Sequence, residues 1–150
     1  MRVEIDQSGR IEQLDTSTIV GYANGHSDAV EIQVNTKRKL KQQLSSRLYP
    51  NKDLPAVIFA VCIFILISKN LKITAIEIDE EYSGKEEIIM ETINKLLKST
   101  KHPTYITIRF RRIGKNSPAH YLVWNIHRGK RNSKYRRLSL KEILGWFWRK

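Results

Sequence analysis

Two segments far apart in the chain have the pattern of a β-strand that ends on a carboxylate. Residues 2–6 (RVEID) end on Asp6, and residues 72–79 (KITAIEID) end on Asp79, with Glu81 two positions later. Period-two alternation places Asp79 and Glu81 on one face of their strand. Carboxylates gathered at one edge of a sheet repel one another, and a hard divalent cation removes that repulsion by binding their oxygens. We therefore expect Asp6, Asp79 and Glu81 to hold Mg²⁺ or Mn²⁺.

The body that carries these acids is strongly basic. The chain has 27 Lys and Arg against 15 Asp and Glu, a formal net charge of +12 at pH 7. Such a charge favours a polyanionic partner, because cations that neutralise phosphates release condensed counterions. Nucleic acid is the partner we expect. An anionic membrane surface and a basic surface that is merely solvated are the alternatives.

Length and cysteine usage narrow the class of protein further. A chain of 150 residues fits a single domain. The apolar run at 56–68 is shorter than the roughly 20 residues that a membrane-spanning helix needs, so it predicts a buried core helix and no membrane partner. Cys62, the single cysteine, lies in that run and cannot form an internal disulfide, which fits a reducing cytoplasmic location.

Hydrophobic periodicity and turn residues predict the order β-β-β-α(α)-β-α-β-α and a further C-terminal helix. Asn24-Gly25 favours a tight hairpin turn between the second and third strands. Three antiparallel strands followed by alternating helix and strand make an α/β fold, a mixed sheet flanked by helices. Strands are expected at 2–6, 17–23, 29–34, 72–79 and 105–113; helices are expected at 36–47 and 54–68 (capped by Asp53), after a Ser83/Glu86 capping box, from Ser117, and after a Ser139/Glu142 capping box.

Three short motifs accompany this order: VEIDQSG with Asp6, AIEIDEEY with Asp79 and Glu81, and NSPAHYLVW with His120. Together they resemble the ribonuclease H-like superfamily, which includes ribonucleases H, Holliday-junction resolvases and transposases. The resemblance covers roughly residues 1–130 and implies a ribonuclease H-like mixed sheet. Residues 131–150 would then be a basic connector and a short aromatic helical tail, packed on the body or on a partner subunit.

The resemblance also implies residue roles. Asp6 would be the most dependable metal ligand, and Asp79 the second, with Glu81 as its competitor. His120 stands where ribonuclease H has Asp, and some resolvase-type members use His there, to contact the metal or orient the attacking water. The superfamily's Glu on the first helix has no counterpart, since the chain has no acid between Glu31 and Glu77 other than Asp53.

These roles predict a metal-dependent nuclease that hydrolyses phosphodiester bonds in duplex, hybrid or junction nucleic acid, with Asp6, Asp79, Glu81 and His120 as its catalytic residues. Two-metal sites activate water and stabilise the leaving oxygen in such reactions. A catalytically inactive nucleic-acid-binding relative is one alternative. An assembly protein that uses the aromatic tail as its interface is another, and a homodimer is a further hypothesis.

Cations that could contact phosphates fall in three places. They occupy a predicted helix at 37–41, the loop GKNSPAH before a helix N-terminus, and the segment RGKRNSKYRR at 128–137. An ordinary solvated or capped surface is the alternative for each. The residues predicted to bind nucleic acid are Lys37, Arg38, Lys39, Lys115, Asn116, Arg128, Lys130, Arg131, Lys134, Arg136 and Arg137.

Overall fold

The computed structural model describes residues 1–45, 49–129 and 134–148. Within these ranges the strands are β1 (Arg2–Ser8), β2 (Thr18–Asn24), β3 (His26–Ile32), β4 (Ala75–Asp79), β5 (Thr107–Arg111) and β6 (Arg136–Arg137). The helices are α1 (Val34–Leu44), α2 (Leu54–Ile67), α3 (Glu86–Ser99), α4 (Pro118–His127) and α5 (Leu140–Phe147). The strands form one sheet in the order β5-β4-β1-β2-β3-β6.

The sheet is mixed, as the element order predicts. β1, β2 and β3 pair antiparallel, whereas β4 pairs parallel with β1 and β5 pairs parallel with β4. The hairpin between β2 and β3 turns at Gly25, whose φ of +73° is a conformation that glycine adopts without strain. The α/β class and the hairpin are therefore confirmed. The short strand β6, which lies within the predicted connector, pairs parallel with β3 and was not foreseen.

Helices cover both faces of the sheet. The apolar helix α2 is buried almost throughout and shares the larger core with α3 and with residues of α1 and α5. On the opposite face α4 packs against β2 and β1, where Leu122, Val123 and Ile126 meet Ile19 and Ala29. Among the described residues, no helix combines the length and apolarity needed to cross a membrane.

The aromatic tail packs on the body of this chain. The rings of Trp146 and Phe64 meet edge to face with centroids 4.8 Å apart, so α5 covers part of α2. Phe147 meets Tyr49 in the same manner at 5.9 Å. Trp148 differs from its neighbours because half of its surface is exposed.

Two predicted helix caps do not form. Asp53 makes no capping hydrogen bond to α2; its Oδ1 accepts a hydrogen bond from the Lys85 ammonium at 2.7 Å. The Ser83/Glu86 box is also wrong, since α3 begins only after Lys85 and has no side-chain cap. The ion pair between Asp53 and Lys85 thus joins the start of α2 to the start of α3 and uses the side chain that would have capped α2.

The other predicted caps are present. Ser117 Oγ accepts a hydrogen bond from the Ala119 amide at 3.1 Å at the start of α4. Ser139 Oγ accepts one from the Glu142 amide at 3.0 Å at the start of α5. The Glu142 carboxylate does not complete that box, because it binds the Arg136 guanidinium at 2.7 Å and 3.0 Å.

Lys37 is buried, and the prediction that it contacts nucleic acid is wrong. It shares the buried face of α1 with Leu40 and is 2% exposed. Its ammonium donates to the carbonyl of Arg10 at 3.1 Å, to the carbonyl of Gln13, and to Thr18 Oγ1 at 3.0 Å. Burial lowers the pKa of Lys37 to about 8. The side chain therefore fastens the loop after β1 to α1.

Replacing Lys37 is expected to destabilise the fold. Lys37→Met keeps the apolar stem but leaves buried acceptors without a donor, and we expect the free energy of unfolding to fall by about 2 kcal/mol. Urea unfolding followed by circular dichroism measures the change. Lys39→Met is the matched control, because Lys39 lies exposed on the same helix. Equal stability of the two variants would contradict a stabilising role for the buried hydrogen bonds of Lys37.

Candidate metal centre

The parallel pairing of β1 with β4 brings the predicted acids side by side. Ile5 lies opposite Ile78 in the register, so Asp6 and Asp79 follow one residue later on neighbouring strands. Glu81 comes close through a tight turn, in which its amide donates to the Asp79 carbonyl at 2.8 Å. One ligand oxygen from each of Asp6, Asp79 and Glu81 lies within 4.8 Å of the others. The structure thus brings together all three predicted carboxylates.

Backbone amides hold two of these carboxylates in place. Asp6 Oδ1 accepts from the Gln7 amide at 2.7 Å, and Asp79 Oδ1 accepts from the Ile113 amide at 2.7 Å. Such outer contacts fix the orientation of a ligating oxygen. Oxygens on opposite sides of a Mg²⁺ ion are about 4 Å apart, since each bond is about 2.1 Å long. The oxygen chemistry of the cluster suits a hard divalent cation, and its oxygens, which lie within 4.8 Å of one another, would need to move only a few tenths of an ångström to share one.

The cluster is electrostatically strained without a cation. Asp6 is 3% exposed, and its burial raises its pKa to about 6, with the negative charge of Asp79 adding to the effect. Burial also raises the pKa of Glu81 to about 7, helped by a hydrogen bond to Asp79 and the charge of that group. Arg10 opposes this shift from 3.9 Å. Protons thus compete with a metal for these oxygens near neutral pH.

His120 joins the cluster from α4. Its Nδ1 lies 3.2 Å from Asp6 Oδ2, and its side chain is 30% exposed. When Asp6 is ionised, this contact requires Nδ1 to carry the proton, which leaves Nε2 as an acceptor in the neutral ring. His120 can therefore accept a hydrogen bond from a water molecule while Asp6 fixes the orientation of its ring.

A second layer of charge, which the sequence pattern did not reveal, lies beside the cluster. Arg111 forms ion pairs with Glu4 and, at 3.2 Å, with Glu77. Arg2 also lies 3.7 Å from Glu77, so two guanidinium groups compensate these two carboxylates on the same sheet face. Ser117 Oγ donates to Glu4 Oε1 at 2.8 Å. Because Ser117 also caps α4, this bond holds the first turn of α4 over β1 and thereby sets the position of His120.

His127 lies on α4 but has a different environment. Its Nδ1 is 2.7 Å from Ser8 Oγ and its Nε2 is 2.8 Å from Thr16 Oγ1, so both ring nitrogens are engaged. Burial lowers its pKa. A side chain at Gly9 would meet the Ser17 carbonyl at 2.1 Å and the His127 ring at 2.9 Å, which explains the glycine. His127 therefore ties the end of α4 to the segment that follows β1.

Several cations predicted to contact nucleic acid are exposed. Arg38 and Lys39 lie exposed on α1, with Arg38 Nε donating to the Leu14 carbonyl at 3.2 Å. Lys115 and Asn116 are exposed in the loop directly before α4, the helix that carries His120.

The basic segment near the C-terminus is partly neutralised by acids. Arg128 and Lys134 are exposed. Arg136 binds Glu142, and Arg137 Nε donates to Glu31 at 2.7 Å. The predicted contacts Lys130 and Arg131 lie outside the described residues.

Divalent metal is expected to stabilise the protein through this cluster. At a Mg²⁺ or Mn²⁺ concentration about tenfold above Kd, linkage predicts a gain of about 1.4 kcal/mol and a rise in Tm of about 4 °C. Asp79→Asn should remove most of this rise in a thermal melt. Glu80→Gln should retain it, since Glu80 is exposed and lies outside the cluster. An equal rise in both variants would contradict the site.

The raised pKa of Glu81 predicts a pH dependence. A carboxyl whose pKa rises on folding stabilises the folded state below its unfolded pKa, and that contribution is lost as pH passes the folded pKa. For Glu81 these values are 4.5 and about 7. In chelator, Glu81→Gln should therefore gain stability relative to the wild type as pH rises through this window. Chemical unfolding at several pH values measures the difference in stability between the two proteins, and a difference that stays constant across this window would refute the prediction.

Comparison with protein-family models, with curated proteins and with solved structures finds no match for this chain. The distinctive features of the centre are the convergence of Asp6 and Asp79 from neighbouring parallel strands with Glu81 from the turn after β4, and the contact of His120 with Asp6.

Proposed function

We propose that this protein is a Mg²⁺- or Mn²⁺-dependent nuclease of the ribonuclease H-like type, acting on duplex, hybrid or junction nucleic acid. The observation that carries the proposal is the cluster of Asp6, Asp79 and Glu81, whose ligand oxygens lie within 4.8 Å of one another, with His120 in contact with Asp6. The net charge of +12 supports a polyanionic substrate.

The position of the cluster in the sheet also supports the proposal. Asp6 lies in the second half of β1 and Asp79 ends the neighbouring parallel strand β4, while α4, from late in the chain, carries His120. These are the positions at which the resemblance to ribonuclease H-like proteins implies catalytic residues. Side chains that converge from separate elements of a rigid fold are held in a fixed geometry, which catalysis requires.

Each residue has a distinct role in the proposed reaction. Asp6, Asp79 and Glu81 would hold the metal, which when bound lowers the pKa of water and neutralises charge on the phosphate. His120 accepts a hydrogen bond from the attacking water at Nε2, oriented by Asp6. Lys115 and Asn116, at the N-terminal end of α4, bind a phosphate of the substrate strand.

A second candidate function is nucleic-acid binding without cleavage. Helices α1 and α2 contain no acid, so the Glu that the resemblance implies on the first helix has no counterpart there. His120 adds no negative charge where ribonuclease H has Asp. A centre with three carboxylates binds metal less strongly than one with four, which favours this alternative.

Substitution of Asp6 tests the nuclease. Asp6→Asn removes a ligand charge with little change in shape. Losing a group that only orients a metal ligand costs up to about 100-fold, so we expect the loss of a ligand itself to lower metal-dependent cleavage by at least about 100-fold. Binding should stay intact or tighten, because a buried repulsion is relieved. Glu80→Gln is the control and should cleave normally.

The assay is a panel of duplex, hybrid, junction and single-stranded substrates with Mg²⁺ or Mn²⁺, paired with a binding measurement. Cleavage that survives in Asp6→Asn would eliminate the proposed centre. Binding without cleavage of any substrate by the wild type would reject the nuclease and support the second candidate.

A further inference from the structure

We propose that the exposed face of α4 formed by Trp124 and Arg128 is a stacking platform for an unpaired base of the substrate strand. This inference rests on the proposed function for the position of the cleaved phosphate. It assigns a substrate class to the centre: nucleic acid that carries single-stranded nucleotides beside the cleavage site.

The platform lies on the side of α4 that does not pack against the sheet. The opposite side of the helix supplies Leu122, Val123 and Ile126 to the core against β1 and β2. Trp124 and Tyr121 point away from that core and are 41% and 49% exposed. Both rings contact His120, so the three side chains form one exposed aromatic surface of the kind that can mark a binding site.

The exposed residues form a continuous line from the carboxylate cluster. His120 contacts Asp6, and its ring is nearly parallel to the Trp124 indole, with an interplanar angle of 14° and centroids 6.5 Å apart. One turn further on, the Arg128 guanidinium lies 3.6 Å from the centre of the indole. A helical turn of about 5.4 Å spans one to two base steps of about 3.4 Å. The indole is therefore within reach of a nucleotide that flanks a phosphate at the cluster.

The chemistry of this line matches a nucleic-acid strand. Indole rings stack on bases of any identity. The Arg128 guanidinium lies over one face of the indole, and a base would stack there as the guanidinium turns to the adjacent phosphate, or would stack on the guanidinium plane itself. The surrounding charges favour a polyanion over an apolar protein partner, because Arg128 follows the indole and Lys115 precedes the helix, both exposed. A base in a duplex is already stacked and paired, so only an unpaired base is free to lie on the indole.

Binding in the absence of divalent metal tests the platform separately from catalysis. With Trp146→Phe and Trp148→Phe, Trp124 is the single fluorophore of its type, and a thermal melt verifies the fold. We expect a single-stranded oligothymidine to quench Trp124 fluorescence and a blunt duplex of equal length to leave it unchanged. Absence of quenching by the single strand, or equal quenching by the duplex, would overturn the proposal.

Alanine substitution gives the energetic test. Trp124→Ala should weaken binding of the single strand about 5- to 150-fold, the range expected for loss of one stacked base, with duplex affinity unchanged. Trp148→Ala is the matched control, since Trp148 is 50% exposed on α5 and should bind as the wild type does. Trp124→Phe keeps an aromatic face and should recover most of the affinity, which separates stacking from a folding defect.

These outcomes distinguish the platform from the nuclease. Wild-type affinity of Trp124→Ala for single strands refutes the platform whether or not the protein cleaves. Selective loss of single-strand binding in Trp124→Ala supports it even where no substrate is cleaved. In an active wild type, the same substitution should raise KM for a substrate with a single-stranded flank and leave KM for a blunt duplex unchanged.

Discussion

The parallel pairing of β1 with β4 is the constraint on which the rest of the structure depends. Its register sets Ile5 beside Ile78 in the core and leaves the next residue of each strand, Asp6 and Asp79, on the side that faces α4. A shift of one residue would exchange these two sets, placing carboxylates in the apolar core. The burial of isoleucine therefore enforces the convergence of the acids, and the fold and the candidate centre share one origin.

The sheet tolerates this concentration of negative charge because only part of it is left uncompensated. Arg111 and Arg2 together compensate Glu4 and Glu77, the acids nearer the middle of the strands. Among the described residues, the carboxylates of Asp6, Asp79 and Glu81 face less positive charge. Arg10 lies 3.9 Å from Glu81, and the His120 ring contacts Asp6. Carboxyl groups whose pKa values are raised by burial and by one another are typical of a functional site. This contrast supports a role for the cluster in binding a cation.

The parts of the structure that depend on local pattern could be predicted from the sequence. Strand alternation was sufficient to predict the faces on which Asp6 and Asp79 lie, because side-chain direction has a period of two. The predicted end of the first strand at Asp6 is wrong, since β1 continues to Ser8. Contacts set by strand order could not be foreseen: Arg111 meets Glu4 across β4, and the two are more than 100 positions apart. The burial of Lys37 was missed for a different reason. Its basic neighbours predict a solvent-exposed side chain. Lys37 is buried because it lies on the side of α1 that packs on the core, together with Leu40.

The buried ammonium of Lys37 has a consequence for the distant edge of the sheet. It binds the main-chain carbonyl of Arg10, whose side chain lies over the Tyr82 ring and faces Glu81. The buried hydrogen bond from Lys37 of α1 thus fixes the main chain of Arg10, the residue whose guanidinium faces Glu81. The entropy of ordering that residue is therefore lost when the chain folds, and the guanidinium is already held in position beside Glu81.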